Sequence, residues 1–320
     1  EVYNSELDDR DANLVNMPNG TIVLTWITSD VFTWKEYSRP EWSPRIDRIT
    51  QKMRDELLGH WLIRSFDGGH TWEHFPHRIQ SGGAEHAGPS VLSDGSLICI
   101  GYKPVEGGYK KAAFISKDEG VSWGEIGEIP CEYEKFEHAG RALRWYYGER
   151  PYGYEKNEQA LFIPIISEYN ILEVSPGNLI ALFRMELRKD WGYIYQSVSQ
   201  DNGKTWSIAK KLPIWGFPPH MIRLSSGAIL CVYSHRCEPW SVRAILSYDG
   251  GITWDTSNII TIDEWEDKPD MGYPVSVEVE PNQILTVYYC SRQDSIHLRH
   301  EEKIKGLTSE GLLWARYTLE

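Results

Sequence analysis

One eight-residue sequence occurs four times in this chain and always ends in tryptophan. It reads SFDGGHTW (65–72), SKDEGVSW (116–123), SQDNGKTW (199–206) and SYDGGITW (247–254). The Asp at its third position can accept hydrogen bonds from the backbone that follows, and the Gly at its fifth position tolerates positive φ, so each copy predicts a tight turn. Copies that begin at residues 65, 116, 199 and 247 are 51, 83 and 48 residues apart. A period of about 50 residues predicts a β-propeller blade, in which this box is a hairpin turn and its Asp has a structural role.

A second element, a pair of apolar segments around a Gly or Asn turn, is repeated five times. In each copy the first segment alternates apolar and polar residues, and the second segment is almost entirely apolar. This pattern is typical of a half-exposed strand followed by a central, buried strand. The sequence therefore predicts five countable modules of about four strands each, and we expect the last strand, around 312–319, to pair with the N-terminal strand. The five copies are residues 11–26, 88–102, 169–184, 220–236 and 273–289.

The four boxes resemble the Asp-box, S-x-D-x-G-x-[ST]-W, of the sialidase (neuraminidase) superfamily of BNR-repeat β-propellers. The resemblance covers nearly all of the 320 residues. It implies an all-β, sialidase-like β-propeller with four-stranded antiparallel blades, in a single domain over residues 1–320. Six blades are expected, as in the family, and five, the number of modules that can be counted, is the alternative. We expect inserted loops at about 32–58 and 130–167, the second being either a shortened blade or an elaborate loop.

The resemblance also implies three arginines that bind the carboxylate of a sugar. Arg10 in RDANLV opens the first inner strand, although Asp-Ala follows it where the family usually has Ile-Pro. Arg184 ends the strand pair SEYNILEVSPGNLIALFR, and Arg243 precedes a late box in SVRAILSYDGG. Guanidinium groups suit this role because they form bidentate, charge-assisted hydrogen bonds with carboxylates. The structural alternative for Arg184 and Arg243 is an ion pair with a neighbouring carboxylate.

Three further residues correspond to the catalytic groups of sialidases. Tyr273 opens the last module and corresponds to the nucleophile, and Glu168 corresponds to the glutamate that polarises it. Asp55 lies nine residues before Arg64, as the acid/base aspartate of the family does. Tyr273 could instead cap the GYP turn. Asp55 follows apolar residues at helical spacing, which also predicts a short amphipathic helix with Asp55 on its solvated face.

Three residues near the ends of predicted strands lie outside the sialidase pattern. His86 and His220 precede inner strands, and Arg236 ends a central strand. We expect all three to contact substrate. Histidines at these positions could also transfer protons or hold a metal ion. No HxH or HExxH spacing supports a metal site, so we expect neither a metal nor a cofactor.

Three functions are compatible with these residues. The ordered set of arginines, Tyr273, Glu168 and Asp55 favours an exo-glycosidase that hydrolyses a terminal acidic sugar, such as sialic acid or a related 2-keto sugar acid. A polysaccharide lyase or other uronate-directed enzyme would instead use His86 or His220 as the base and Tyr273 as the acid. A non-catalytic glycan-binding propeller would stack sugars on tryptophans, for which the candidates are Trp191, Trp215, Trp240 and Trp265.

Charge and composition narrow the class of partner. The formal net charge is −13 and no basic cluster occurs, so we expect neither nucleic acid nor an anionic membrane as a partner. An acidic glycan or oligosaccharide must then be bound by local arginines against the overall field of the protein. The five cysteines are scattered and form no disulfide framework. The chain opens on Glu1, which is compatible with a secreted or periplasmic protein whose signal was removed and with a cytoplasmic one, and no feature favours one oligomeric state.

Overall fold

The computed structural model describes residues 2–30, 47–80, 87–136, 161–185, 192–266, 270–290 and 311–319. Strands dominate these residues, as the sequence predicts. The one helix among them is seven residues long, and no described helix is long and apolar enough to cross a membrane. The chain divides into two compact units. The first comprises Glu1–Pro164 and Gly203–Trp206, and the second comprises Ile165–Asn202 and Ser207–Glu320.

Two sheets form the first unit, and the strands of each pair antiparallel in chain order up to the fourth. The first sheet consists of β1 (Asp8–Asn16), β2 (Ile22–Ser29), β3 (Gly59–Ser65) and β4 (His77–Gln80). The second sheet begins with β5 (Ser90–Val91), β6 (Leu97–Val105), β7 (Gly108–Ser116) and β8 (Gly124–Glu128).

The helix α1 (Gln51–Leu57) lies in the chain between β2 and β3, within the insertion predicted at 32–58. It begins after Thr50, whose hydroxyl accepts a hydrogen bond from the backbone N–H of Met53, as an N-cap residue does. Arg54 ties the helix to the end of β2, because its Nε donates to Asp30 Oδ2 at 2.6 Å. A short helix is thus confirmed at this position.

Three sheets form the second unit. Their strands also pair antiparallel in chain order. The strand Asn178–Met185 has the almost wholly apolar sequence NLIALFRM because six of its eight residues are buried. The sheets are β11 (Ile166–Ser175), β12 (Asn178–Met185), β13 (Tyr193–Ser199) and β14 (Lys210–Trp215); β15 (His220–Arg223), β16 (Ile229–His235), β17 (Trp240–Ser247) and β18 (Ile260–Trp265); and β19 (Met271–Glu280), β20 (Gln283–Cys290) and β21 (Gly311–Thr318). The last strand, β21, pairs with β20, and the expected ladder with the N-terminal strand is not found among the described strands.

The described residues form five sheets, one for each module counted in the sequence, and the prediction of six blades is wrong. The difference lies in the insertion predicted at 130–167. Its described parts form β9 (Tyr133–Phe136) and β10 (Leu161–Pro164), which pair antiparallel with each other. β10 also pairs in parallel with β7, through Phe162 and Gly108. The described strands of the insertion therefore extend the second sheet, and the insertion adds to the interval of 83 residues between two boxes.

The boxes form the turns that join the third and fourth strands of four sheets, as predicted. In the box at 247–254 the Ser247 hydroxyl donates to Asp249 Oδ1 at 2.9 Å and accepts from Gly251 N at 2.8 Å. Asp249 also accepts from the backbone N–H of Thr253 at 2.9 Å and from its hydroxyl at 2.5 Å. Gly251 has φ of +85°, which a residue with a Cβ rarely adopts. The box residues are therefore those that this turn requires.

Replacing Asp249 with alanine is expected to lower the free energy of unfolding by about 1–2 kcal/mol, because three donors lose their shared acceptor. Urea denaturation measures this loss. Ile252→Ala is the matched control in the same turn, since its side chain is 79% exposed, and it should change stability by less than about 0.5 kcal/mol. Equal losses for the two variants would contradict a structural role for the carboxylate.

Acid should weaken the boxes. Hydrogen bonds from the Ser122 side chain and backbone lower the pKa of Asp118 to about 2, against about 3.9 in an unfolded chain. A pKa that is lower in the folded state stabilises the fold above about pH 4, and this contribution is lost as the pH falls toward about 2. Asp118→Asn keeps an acceptor oxygen but does not titrate, so its melting temperature should fall less steeply than that of the wild type over this range. Parallel curves would contradict the assignment.

Candidate active site

Three strands that begin their sheets carry a β-bulge. The bulges lie between Arg10 and Asn13 in β1, between Ile166 and Tyr169 in β11, and between Gly272 and Val275 in β19. Bulges redirect side chains at the rims of sheets and are frequent near active sites. Asp11 and Tyr273 occupy corresponding bulge positions and have φ of +55° and +52°. Left-handed backbone at residues other than glycine costs roughly 1–2 kcal/mol, and such strain is often found at functional sites.

Glu168 and Tyr273 meet in the second unit. The Tyr273 hydroxyl donates to Glu168 Oε1 at 2.5 Å. Arg184, near the end of β12, places Nη1 3.0 Å and 2.9 Å from the two carboxylate oxygens of Glu168. The side chain of Glu168 is only 4% exposed, so this carboxylate is buried between a cation and a phenol. The sequence predicted these three residues as a group, and the structure brings them together.

The ring of Phe217 packs against the arginines beside this group. Its ring centroid lies 4.3 Å from the guanidinium carbon of Arg184 and 5.4 Å from that of Arg236. Phe217 is 1% exposed and its backbone N–H donates to Ser234 O at 3.0 Å, which holds the ring at the end of β16. Two predicted arginines thus lie within cation–π distance of one buried aromatic ring.

Arg236 also reaches a second tyrosine. Its Nη2 donates to Tyr289 Oη at 2.9 Å, and the Tyr289 hydroxyl donates to Asp270 Oδ1 at 2.9 Å. The rings of Tyr289 and Tyr273 are nearly parallel, with centroids 6.1 Å apart. Burial raises the pKa of Tyr289 to about 12, opposed by Arg236 and supported by Asp270. Tyr289 therefore remains a neutral hydroxyl at physiological pH.

Two other predicted residues of the second unit lie apart from these contacts. Arg243, in β17, donates from Nε to Ser241 Oγ at 2.8 Å, and within the described part of the chain it has no hydrogen bond or ion pair to Glu168 or Tyr273. His220 begins β15, and its Nδ1 accepts from Ser276 N at 3.3 Å. Burial lowers the pKa of His220 to about 4, so the ring is neutral and carries its proton on Nε2.

The remaining predicted residues belong to the first unit. Arg10 forms an ion pair with Asp8 and lines an open cavity of about 400 Å³ whose wall includes Trp26. Asp55 is an exposed residue of α1 and accepts from Gln51 Nε2 at 2.8 Å, so it has the solvated position that the helical spacing predicted. His86 lies outside the described residues.

The sequence analysis missed Phe217, Tyr289 and Asp270. Phe217 precedes a Pro-Pro-His segment that reads as a turn, and Tyr289 ends an apolar strand whose alternation indicates only burial. The one available signal was the YY pair at 288–289, because adjacent residues of a strand face opposite sides and only one of the two can point into the core. Tyr288 is that residue, and it donates to the buried Asp263 at 2.7 Å.

Two of the four tryptophans proposed to stack on sugars pack against other side chains of the protein. Trp265 is 2% exposed and packs edge-on against Tyr288, so it cannot stack on a sugar. Trp215 packs against Phe217 and His235, and Trp191 lies outside the described residues. In the described ranges, no group of three or more His, Cys, Asp or Glu side chains is arranged to hold a metal ion.

The repeated boxes and the five sheets agree with a family assignment. Residues 11–285 match the family described as BNR repeat-like domain. The chain belongs to this family. It is therefore a BNR-repeat β-propeller, as the resemblance to sialidases implied. Comparison with curated protein sequences gives no match.

Solved structures with the same fold have low sequence identity to this BNR-repeat protein. A protein of unknown function from Dyadobacter fermentans is 16% identical, with a TM-score of 0.68 over 100% of this chain and 79% of the other. The Hadza microbial sialidase Hz136 is 16% identical, with a TM-score of 0.59 over 98% of this chain and 53% of the other. A Penicillium chrysogenum alpha-L-arabinanase, solved with arabinobiose, is 13% identical, with a TM-score of 0.54 over 97% and 93%. At such identities the likeness establishes the fold alone.

Replacing Arg184 with methionine is expected to lower the free energy of unfolding by about 3 kcal/mol, because it leaves the buried Glu168 carboxylate without its cation. Adding Glu168→Gln removes that charge and should restore part of the loss. Urea denaturation of both single variants and the double variant measures the coupling. Simple additivity of the two single losses would contradict the importance of the pair.

Proposed function

We propose that this protein is a glycoside hydrolase in which Tyr273 is the nucleophile and Glu168 is the base that activates it. The observation that carries the proposal is the 2.5 Å hydrogen bond from Tyr273 Oη to Glu168 Oε1. A nucleophile within hydrogen-bond reach of a base, with a third group orienting that base, is the common arrangement of covalent catalysis. Arg184 is the orienting group, because it contacts both carboxylate oxygens.

The reaction consists of two displacements. In the first, the Tyr273 proton passes to Glu168 while Oη bonds to the anomeric carbon, the glycosidic C–O bond breaks, and a general acid protonates the leaving oxygen. In the second, water attacks the anomeric carbon and gives a proton to that acid's conjugate base. The bond to Tyr273 breaks, and Glu168 returns the proton to Oη. Two inversions retain the configuration.

We propose a terminal acidic sugar as the substrate, and two observations support this class. A tyrosine suits an anomeric carbon that bears a carboxylate, since an anionic carboxylate nucleophile would be repelled by it. Arg236 forms no ion pair with a carboxylate of the described residues, and its buried Nε has no hydrogen-bond partner there. The charge of Arg236 is therefore not neutralised by direct contact with a described carboxylate.

The state of His220 argues against its use as the base of an elimination reaction. A lyase base needs a free lone pair, but Nδ1 of His220 is occupied by the Ser276 N–H and Nε2 carries the proton. The names of two similar structures, a sialidase and an arabinanase, also support action on glycosidic bonds. They differ in sugar class, so neutral arabinosides belong in any substrate panel.

Incubation with sialylated, 2-keto-acid, uronate-terminated and arabinofuranosyl glycans should release an acidic monosaccharide whose mass includes one added water. Tyr273→Phe should lower kcat by at least about a thousandfold while substrate still binds, because the nucleophilic oxygen is absent. Tyr248→Phe is the control, since this tyrosine is 70% exposed in a box turn.

Three results would contradict the proposal. A product that lacks the added water would indicate elimination, release of arabinose alone would overturn the acidic substrate, and binding without any product would indicate a glycan-binding protein. Mass spectrometry of the released sugar and of the residual glycan distinguishes these outcomes.

A further inference from the structure

Two strands of the second unit, β15 and β19, lie at the edges of their sheets. Among the described strands, β15 pairs only with β16 and β19 pairs only with β20. Met221 in β15 and Ser276 in β19 are both buried. Buried backbone N–H groups are nearly always hydrogen-bonded, so a donor on the free side of an edge strand needs an acceptor from outside its own sheet.

Side chains of neighbouring sheets supply these acceptors. Asn170 Oδ1 of β11 accepts from Met221 N of β15 at 2.8 Å. His220 Nδ1 of β15 accepts from Ser276 N of β19 at 3.3 Å. Because His220 and Met221 are consecutive, a single dipeptide at the start of β15 is hydrogen-bonded both to β11 and to β19.

Both hydrogen bonds reach a strand directly beside its bulge. Asn170 follows the bulge of β11 that contains Glu168, and Ser276 follows the bulge of β19 that contains Tyr273. A bulge disrupts the ladder of its own sheet, so contacts from a neighbouring strand help to determine where its residues lie. The start of β15 thus joins the two bulges whose side chains meet in the 2.5 Å hydrogen bond from Tyr273 to Glu168.

The ring of His220 is suited to act as a fixed acceptor. Burial lowers the pKa of His220 to about 4, so the ring is neutral at physiological pH and Nδ1 keeps the lone pair that the Ser276 N–H requires. The Oδ1 atom of an asparagine is attached at the same distance from the backbone as Nδ1 of a histidine. Asn170 accordingly makes the equivalent contact one sheet earlier in the chain.

We propose that His220 and Asn170 are positioning residues of the candidate site, which hold the two bulges at the separation that the Tyr273–Glu168 hydrogen bond requires. This assignment rests on the proposed function, because it treats those two side chains as the reacting pair. His220 acts through the N–H of Ser276, and Asn170 acts through the N–H of Met221. Loss of either acceptor should let the corresponding strand shift and lengthen the contact.

Crystal structures of the full-length protein and its variants test this separation without any substrate. His220→Phe keeps an aromatic ring but removes the acceptor, and Asn170→Leu removes the amide at similar volume. In each variant the distance from Tyr273 Oη to Glu168 Oε1 should exceed about 3.5 Å, which is too long for a hydrogen bond. His220→Asn should retain the short contact, because it returns an acceptor to the position of Nδ1. An unchanged distance in both acceptor-deleted variants would overturn the inference.

Kinetics give a second readout, on whichever member of the sialylated, 2-keto-acid, uronate-terminated and arabinofuranosyl panel is hydrolysed. His220→Phe and Asn170→Leu should lower kcat by roughly tenfold to a hundredfold and change KM by less than about twofold, since a shift of about 1 Å between reacting groups has this effect. His220→Asn should recover most of the lost kcat. A change in KM alone would contradict a positioning role.

The matched controls break contacts between the same strands at their opposite ends. Arg223, the last residue of β15, donates from Nη1 to Val174 O of β11 at 2.9 Å. Glu278 of β19 accepts from Ser225 N at 2.6 Å, directly beyond the end of β15. Arg223→Met and Glu278→Ala should keep the short Tyr273–Glu168 contact and a kcat within about twofold of the wild type. Losses equal to those of the acceptor-deleted variants would indicate a general loosening of the sheets and would overturn the inference.

Failure of this inference can be told apart from failure of the proposed function. If a glycan is hydrolysed but His220→Phe and Asn170→Leu keep the wild-type distance and kcat, the inference is wrong and the proposed function stands. If the wild type hydrolyses no glycan, the proposed function fails, and the crystal structures alone confirm or overturn the positioning of Tyr273 against Glu168.

Discussion

Burial of the Glu168 carboxylate is the constraint on which the candidate site depends. An ionised carboxylate that is 4% exposed is tolerated only if hydrogen bonds and an opposite charge replace the water that it has lost. Arg184 supplies the charge and Tyr273 supplies a hydroxyl donor. The contacts that stabilise this carboxylate are therefore the same ones on which the proposed function depends.

Breaks in the strand ladder at corresponding positions of two sheets make this arrangement possible. Bulges in β11 and β19 interrupt the ladder beside Glu168 and Tyr273, and Tyr273 takes a left-handed φ that costs free energy. Such strain persists only where surrounding strands hold the backbone in place. The box turns contribute rigidity to four of the five sheets, because their Ser, Asp and Gly residues join the third and fourth strands with short hydrogen bonds. The residues of the candidate site lie instead on the first, second and connecting segments of their modules.

The charge arrangement around Arg236 distinguishes this site from a simple cluster of ion pairs. An arginine paired directly with a carboxylate has little affinity left for an anionic ligand, whereas an arginine anchored by a neutral hydroxyl keeps both its orientation and its charge. Tyr289 has this role structurally, since burial raises its pKa to about 12 and so keeps the hydroxyl protonated. The formal net charge of the protein is −13, so a local cation of this kind opposes the overall negative field of the chain.

Local patterns were sufficient to predict much of this molecule. The box residues encode their own turn, and the apolar alternation encodes the strands, so the five modules and the fold class were predicted correctly. Glu168, Arg184 and Tyr273 were predicted as a group only through resemblance to sialidases. The number of blades was predicted wrongly because six was taken from the resemblance to sialidases, and the extra length of segment 130–167 does not specify which sheet its strands join.

What the sequence determined by itself was the repeating unit, because turn chemistry and side-chain periodicity act over fewer than ten residues. Contacts between distant segments were decided only by the tertiary structure. Glu168 and Tyr273 are separated by 105 residues, and Arg236 and Tyr289 by 53, yet each pair is within hydrogen-bond distance. Whether an arginine meets a carboxylate, as Arg184 does, or a tyrosine, as Arg236 does, depends on how strands of different sheets pack. No local pattern in the sequence specifies that packing.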